Sequence, residues 1–456
     1  MKKTLTLLTI TAGLLIGATG IAEAQKSRVR YADEQMELMN YQHALDVYKE
    51  AYARKPNYET ARKTALAQDK VRDYGALYEW WKTTVGYEEA TGDDYRELLR
   101  AGILTDNFEE AVSIIQAKGM TADSLGIEKR DIPESSRKLK LENMEELNSS
   151  ESDFSMVEDG QGNKYFVSDR GGSYPDKMPG IRIDGRNKLF SQEKSDYTDR
   201  GYFTVYRQDS EGNISAVVSD VPNTKSFSDP SYSVKDKVLF YTVTRDLGKV
   251  KPRRDTVLVQ VEIYYSQVNA EGKLEGARAF PLNDSLRYSV MHPYVDEEAG
   301  RLYFASDMPG GLGGYDLYYS EYSVSGDSLV FGSAVPLGPG VNTADNETHP
   351  FRKGNKFYFS STGHKGFGGM DVFEADYTSA SIGSARNMGY PINSLADDFA
   401  YREDKDRTVY LSSNRRGGKG LDDIYMAKEM YKQFLARVLD CNGNVITESY
   451  LATFRD

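Results

Sequence analysis

The sequence predicts α-helical tetratricopeptide repeats, then an all-β five-bladed propeller, then the start of a β-sandwich. Three observations predict this order. A self-similarity of about 34 residues runs through the first part of the chain, the length of a helix-turn-helix repeat. A second self-similarity, among short alternating strands, begins near residue 137. The chain also holds 33 tyrosines and 40 glycines, a composition that favours strands joined by tight turns.

At the N-terminus, Lys2 and Lys3 precede an apolar stretch from Leu5 to Ile21 that closes on Ala22-Glu23-Ala24. A basic start, an apolar run and an A-x-A site together read as a secretory signal over residues 1–24. The mature chain is then expected to begin at Gln25, on the far side of the inner membrane. With no cysteine near the cleavage site, lipidation is not expected. The formal charge of -12, without a basic stripe, excludes nucleic acid as the main partner. Cys441 is the sole cysteine, so no internal disulfide forms and stability must come from packing.

The helical repeats occupy 27–120. Tyr41, Tyr74 and Phe108 recur at the repeat period, followed at fixed offsets by Ala44, Leu77 and Ala111, then by Tyr48, Trp81 and Ile115. A small residue at a helix crossing lets two backbones approach, and the following aromatic or aliphatic side chain fills the groove beside it. Asn40, Asp73 and Asn107 place a turn former before each aromatic, and Pro56 closes the first unit. A polar linker is expected over 121–136.

The propeller is expected over 137–429. Arg301-Leu-Tyr-Phe-Ala-Ser-Asp307, Lys356-Phe-Tyr-Phe-Ser-Ser-Thr362 and Arg407-Thr-Val-Tyr-Leu-Ser-Ser-Asn414 are one strand written three times. Each enters a glycine-rich turn and then a strand opening with Asp316, Asp371 or Asp423. The constant spacing predicts one repeated hairpin, with the aspartate accepting backbone N–H bonds across the turn. Lys164–Asp169 and Lys237–Thr242 are weaker copies, making five blades. Asn143-Met-Glu-Glu-Leu-Asn-Ser149 resembles Asn387–Ser394, the connection before the last blade. The segment 137–147 is therefore expected to complete that last blade and close the ring. From 431 a strand, a Cys-Asn-Gly turn and a second strand start a further domain that two or three strands cannot complete.

This order of tetratricopeptide repeats, blades with Tyr-Phe-Ser-Ser and Gly-Gly-x-Asp-Val/Ile-Tyr texts, and an Ala-Arg-Val-x-Asp-x-x-Gly opening at 436–443 resembles the PorE-like envelope proteins. These carry PD40/WD40-like propellers and a carboxypeptidase-regulatory-like start, and belong to the OmpA-family proteins associated with type IX secretion. The resemblance implies a non-catalytic scaffold in the periplasm, associated with the outer membrane, in a secretion or gliding assembly. It also implies envelope-protein partners, and peptidoglycan through a C-terminal domain not in this sequence.

Weighed from the residues, the chain is expected not to be an enzyme and to need no cofactor. A serine hydrolase needs a Gly-x-Ser-x-Gly elbow and a later histidine; there is no such elbow and no histidine after His364. The glycine turns lack the following helix that a phosphate cradle requires. The alternatives are a glycan-active propeller and a small-ligand or metal-binding propeller. The latter has one basis. Asp153, Asp229, His292, His349 and Asp398 open the five first strands, which line the central channel, and a ring of His and Asp suits a divalent cation or a partner's cationic side chain. The plainer reading is that each caps its own strand by a local hydrogen bond.

Overall fold

The computed structural model describes residues 26–127, 138–171, 195, 200–247, 259–325, 328–429 and 445. The expected signal segment and, but for Val445, the expected sandwich start lie outside them. So does the 128–136 part of the expected linker.

Six helices come first: α1 (26–37), α2 (Tyr41–Arg54), α3 (Tyr58–Lys70), α4 (Tyr74–Val85), α5 (Gly92–Leu104) and α6 (Phe108–Gln116). Among the described residues no helix is long and apolar enough to cross a membrane. The repeated aromatics Tyr41, Tyr74 and Phe108 are the first residues of α2, α4 and α6. Two residues before each, Met39, Arg72 and Asp106 take left-handed φ angles of 62°, 57° and 56°. Three non-glycine residues in that region at one repeat position show a turn imposed by the repeat. Ala44, Tyr48, Leu77, Trp81, Ala111 and Ile115 are all buried between helices, as the spacing predicts. The arrangement is compatible with tetratricopeptide-like pairs.

Five antiparallel blades follow. Blade I uses Asp153–Glu158, Lys164–Ser168, Thr204–Gln208 and Ile214–Ala216. Blade II uses Thr224–Ser233, Val238–Arg245, Glu262–Val268 and Leu274–Ala279. In blade III, Val290–Asp296, Arg301–Ser306 and Asp316–Ser325 are followed by two short outer strands. Blade IV uses Glu347–Lys353, Lys356–Ser361, Asp371–Asp376 and Arg386–Asn387. Blade V takes Asp398–Glu403, Val409–Ser413 and Asp423–Glu429 from the chain's end, and its outer strand Leu139–Asn143 from before blade I. That outer strand pairs antiparallel, Leu139 with Glu429 through Asn143 with Tyr425, and joins the two ends of the ring.

Two repeated devices show that this closing strand is an ordinary outer strand. After the outer strands of blades II, III and IV, the amides of Asn283, Asn342 and Asn393 bond both the N–H and the C=O of Ile263, Leu317 and Val372. Asn148 does the same to Ile424 in blade V. The glycine turns supply the second device. A Cβ at Gly313, Gly368 or Gly420 would fall within 2.6 Å of backbone in the next blade, at Asp345, Leu395 or Glu151. Glycine is required there because each turn lies against its neighbour's chain, and the Gly420 contact carries the pattern from blade V to blade I. Asp316 and Asp371 accept backbone N–H bonds from Leu312 and Gly313, and from Phe367 and Gly368. Asp423 takes them from Lys419 and Gly420. The core lies between blades, where Tyr165, Phe240, Tyr303, Tyr358 and Tyr410 are buried at one repeat position.

Candidate functional site

Every inner strand carries a β-bulge. Its pairing with the second strand jumps from Phe154 to Val157, Ser228 to Ser231, Met291 to Tyr294, Thr348 to Phe351 and Phe399 to Arg402. Two residues then oppose one, which turns the extra side chain out of the blade. The first residue of each bulge has positive φ: Ser155 53°, Asp229 49°, His292 52°, His349 49° and Ala400 53°. Since all five share the strain, it belongs to the propeller's geometry; the side chains at that position differ.

At three of these positions they converge. Asp229, His292 and His349 each offer a ligand atom within 4.8 Å of the others'. The imidazoles of His292 and His349 stack with centroids 3.9 Å apart. His292 Nε2 lies 3.7 Å from Asp229 Oδ2, and His349 Nε2 3.8 Å from Asp229 Oδ1. Neighbouring residues orient the group. Ser228 Oγ donates to Asp229 Oδ2 at 2.9 Å and Ser155 Oγ to Oδ1 at 3.3 Å. His349 Nδ1 lies 2.9 Å from Thr348 Oγ1, whose own hydrogen points to Met370 sulfur at 3.4 Å. When the Thr348 hydrogen lies on the Met370 side, its oxygen can accept from His349 Nδ1–H, and in that tautomer Nε2 carries a lone pair. His349 Nε2 and His292 Nδ1 are buried without a hydrogen-bond partner among the described residues.

The electrostatics keep both imidazoles neutral. Burial lowers the His292 pKa, Asp229 opposes this and Arg402 adds to it. His349 is held well below the usual range by burial, then by His292 and Arg402. Arg402 follows the bulge of blade V, and its guanidinium lies over the rings of Phe351 and Tyr294 at 5.3 and 5.6 Å. Burial pushes it down to about 10, against the pull of Tyr294 and Asp229.

The expected ring of five is therefore corrected to a group of three. Asp153 and Asp398 stand two residues earlier on their strands than the bulge and bond elsewhere. Asp398 Oδ2 accepts from Ser394 N and Oγ at 2.6 and 2.7 Å, and Oδ1 pairs with Arg415 at 2.5 Å. Asp153 repeats this with Ser149 and Arg170. Glu347, which the sequence reading passed over, fills the same place in blade IV by accepting from Thr343 N and Oγ1. The true equivalents in blades I and V are Ser155 and Ala400. The signal was Pro230, Pro293 and Pro350, which directly follow Asp229, His292 and His349; Asp153 and Asp398 precede phenylalanine instead. Arg402 had no sequence signal.

A second concavity lies between the helices and blade IV, lined by Lys70, Arg72, Tyr74, Arg100 and Phe367. Both of its arginines are engaged: Arg72, together with Tyr74, holds Asp397 at 2.7 Å, and Arg100 pairs with Glu97.

No protein-family profile and no curated protein matches the chain. Among solved structures, an endo-arabinase from Bacteroides thetaiotaomicron is 11% identical, covers 67% of this chain and 99% of its own, and has a TM-score of 0.37. A soluble aldose sugar dehydrogenase from Escherichia coli is 9% identical over 64% of this chain and 100% of its own, with a TM-score of 0.34. Hydrazine synthase of Kuenenia stuttgartiensis is 12% identical over 46% of this chain, with a TM-score of 0.31, and this chain spans 32% of its length. These neighbours are named as enzymes, against the expectation of a non-catalytic scaffold and of a chain that is not an enzyme. At these identities and TM-scores no fold, reaction or substrate is carried over from them.

Proposed function

We propose that the propeller is a small-ligand and metal-binding module that holds a divalent transition-metal ion on Asp229, His292 and His349. The observation that carries this reading is the buried Nε2 of His349, which has no hydrogen-bond partner among the described residues and lies 3.8 Å from the Asp229 carboxylate. Leaving a buried polar atom unpaired costs about 1–3 kcal/mol, and a metal ion removes that cost. Two neutral imidazoles and one carboxylate form a ligand set that suits zinc, iron or cobalt and leaves coordination positions open. Tetrahedral ligands at bond lengths of about 2.0–2.1 Å stand roughly 3.4 Å apart, a few tenths closer than the 3.7 and 3.8 Å seen here. The hydroxyls of Ser155, Ser228 and Thr348 supply the outer hydrogen bonds that orient such ligands. An ion there would act as a Lewis acid toward a ligand entering the channel.

The test is cobalt(II) titration of the chelator-treated full chain, followed by visible absorption. One equivalent should bind, and His292→Ala with His349→Ala should abolish it while leaving the circular dichroism unchanged. Equal binding by the double variant would refute the site.

The N-terminal sequence supports a second proposal, that the chain is exported and works in the cell envelope. Helices followed by a five-bladed propeller are compatible with a propeller envelope protein, and the PorE-like resemblance rests on the repeat motifs. An envelope fraction should then yield a chain beginning at Gln25; an intact segment 1–24 in that fraction would overturn it.

A further inference from the structure

Resting on the metal reading above, the charges around the site point to what else it holds. Asp229 is the one carboxylate of the group, and Arg402 approaches from the inner strand of blade V. The residues that Arg402 covers, Tyr294 and Phe351, stand two positions beyond His292 and His349 on their strands. Phe399, three residues before Arg402, lies 5.2 Å from the His349 ring. The guanidinium thus lies over side chains two positions along the inner strands from the imidazoles. Its Nη1 donates to the Tyr401 carbonyl at 2.9 Å, and no described carboxylate forms an ion pair with it. Without metal, the single charges of Asp229 and Arg402 balance at long range. Adding a dication leaves the group with an excess of two positive charges in a buried place, which is strongly unfavourable unless an anion accompanies it.

We infer that the channel takes a small carboxylate ligand, with one oxygen on a metal ion held by Asp229, His292 and His349 and the carboxylate also held by the Arg402 guanidinium. The planar fork of Arg402, clamped against two aromatic rings, matches a planar carboxylate better than a tetrahedral anion. A three-residue ligand set leaves adjacent open positions, so a 2-hydroxycarboxylate such as glycolate, binding through both oxygens, should bind more tightly than acetate.

The experiment uses the full chain loaded with cobalt(II), titrated with glycolate, acetate and inorganic phosphate and followed by visible absorption. Glycolate should perturb the spectrum at the lowest concentration and phosphate at the highest. Arg402→Met should bind cobalt at least as tightly as the parent but weaken glycolate about tenfold or more, the loss of a charge-assisted pair. Should Arg402→Met fail to fold, Arg402→Lys is measured instead. It keeps the charge without the fork, and about three- to tenfold weakening is expected. Absence of cobalt uptake by the parent would remove the metal reading and this inference with it. Cobalt uptake with undiminished glycolate binding by the Arg402 variant, or tighter binding of phosphate than of glycolate, would overturn this inference alone.

Discussion

Blades II to IV and blades I and V carry the same bulge on their inner strands, with φ near 50° in all five, yet only the first set places Asp or His there. The second set has Ser155 and Ala400 at the bulge. Blades I and V put their acidic residues two positions earlier, where Asp153 and Asp398 tie the strand entry to Arg170 and Arg415. The difference separates two uses of one side-chain type. At the strand entry a carboxylate is surrounded by donors and serves the framework. At the bulge the group is short of donors and retains capacity for a ligand.

The sharpest way to break that comparison is to remove a framework carboxylate. Asp398→Ala would leave Arg415 and the Ser394 N–H without their buried acceptor, and urea unfolding should show a loss of about 3–5 kcal/mol. The double substitution of His292 and His349 should cost far less, about 1 kcal/mol per site. Similar losses for both would mean that the imidazoles are framework too.

A turn carboxylate gives the next effect. Burial raises the Asp371 carboxyl to about 7, and its Oδ1 lacks a partner among the described residues. A folded pKa above the unfolded value means the contribution is full below about pH 4 and is lost as the pH rises through 7. The wild-type protein should lose up to about 4 kcal/mol over that window. Asp371→Asn keeps an acceptor for Phe367 and Gly368 and should flatten the profile, so the variant gains relative stability at pH 9. Parallel profiles for the two proteins would contradict this.

Smaller still is the cost of loosening the closing strand. Asn148→Ala orphans the buried N–H of Ile424, whose C=O keeps the Met144 N–H, at about 1–3 kcal/mol when no water replaces the amide. Asn393→Ala should cost the same in blade IV if the closing segment is an outer strand like the others. A much smaller loss at Asn148 would show that the ring frays where its ends meet. Last, Ser155→Ala should leave stability within about 0.5 kcal/mol while weakening metal binding about tenfold, as loss of an outer hydrogen bond to a metal ligand does.

Much of the framework was legible because repeats report on themselves. The Tyr303, Tyr358 and Tyr410 column, the glycine turns with Asp316, Asp371 and Asp423, and the likeness of 143–149 to 387–394 each recur at fixed spacing, and recurrence averages out local accident. The site was legible only in part. Asp229, His292 and His349 were picked out as opening strands, but Asp153 and Asp398 were aligned with them by residue type, and a shift of two keeps a side chain on the same face of a strand.

The order of helices and blades, the strand that closes the ring and the roles of the turn aspartates follow from the sequence itself, since they rest on short-range spacing and on alternation that any strand must obey. Which polar residues meet was decided by tertiary structure. A bulge adds one residue to one strand, marked in the text only by the prolines of three blades, and Arg402 approaches the imidazoles from another blade, which only the closed ring brings near.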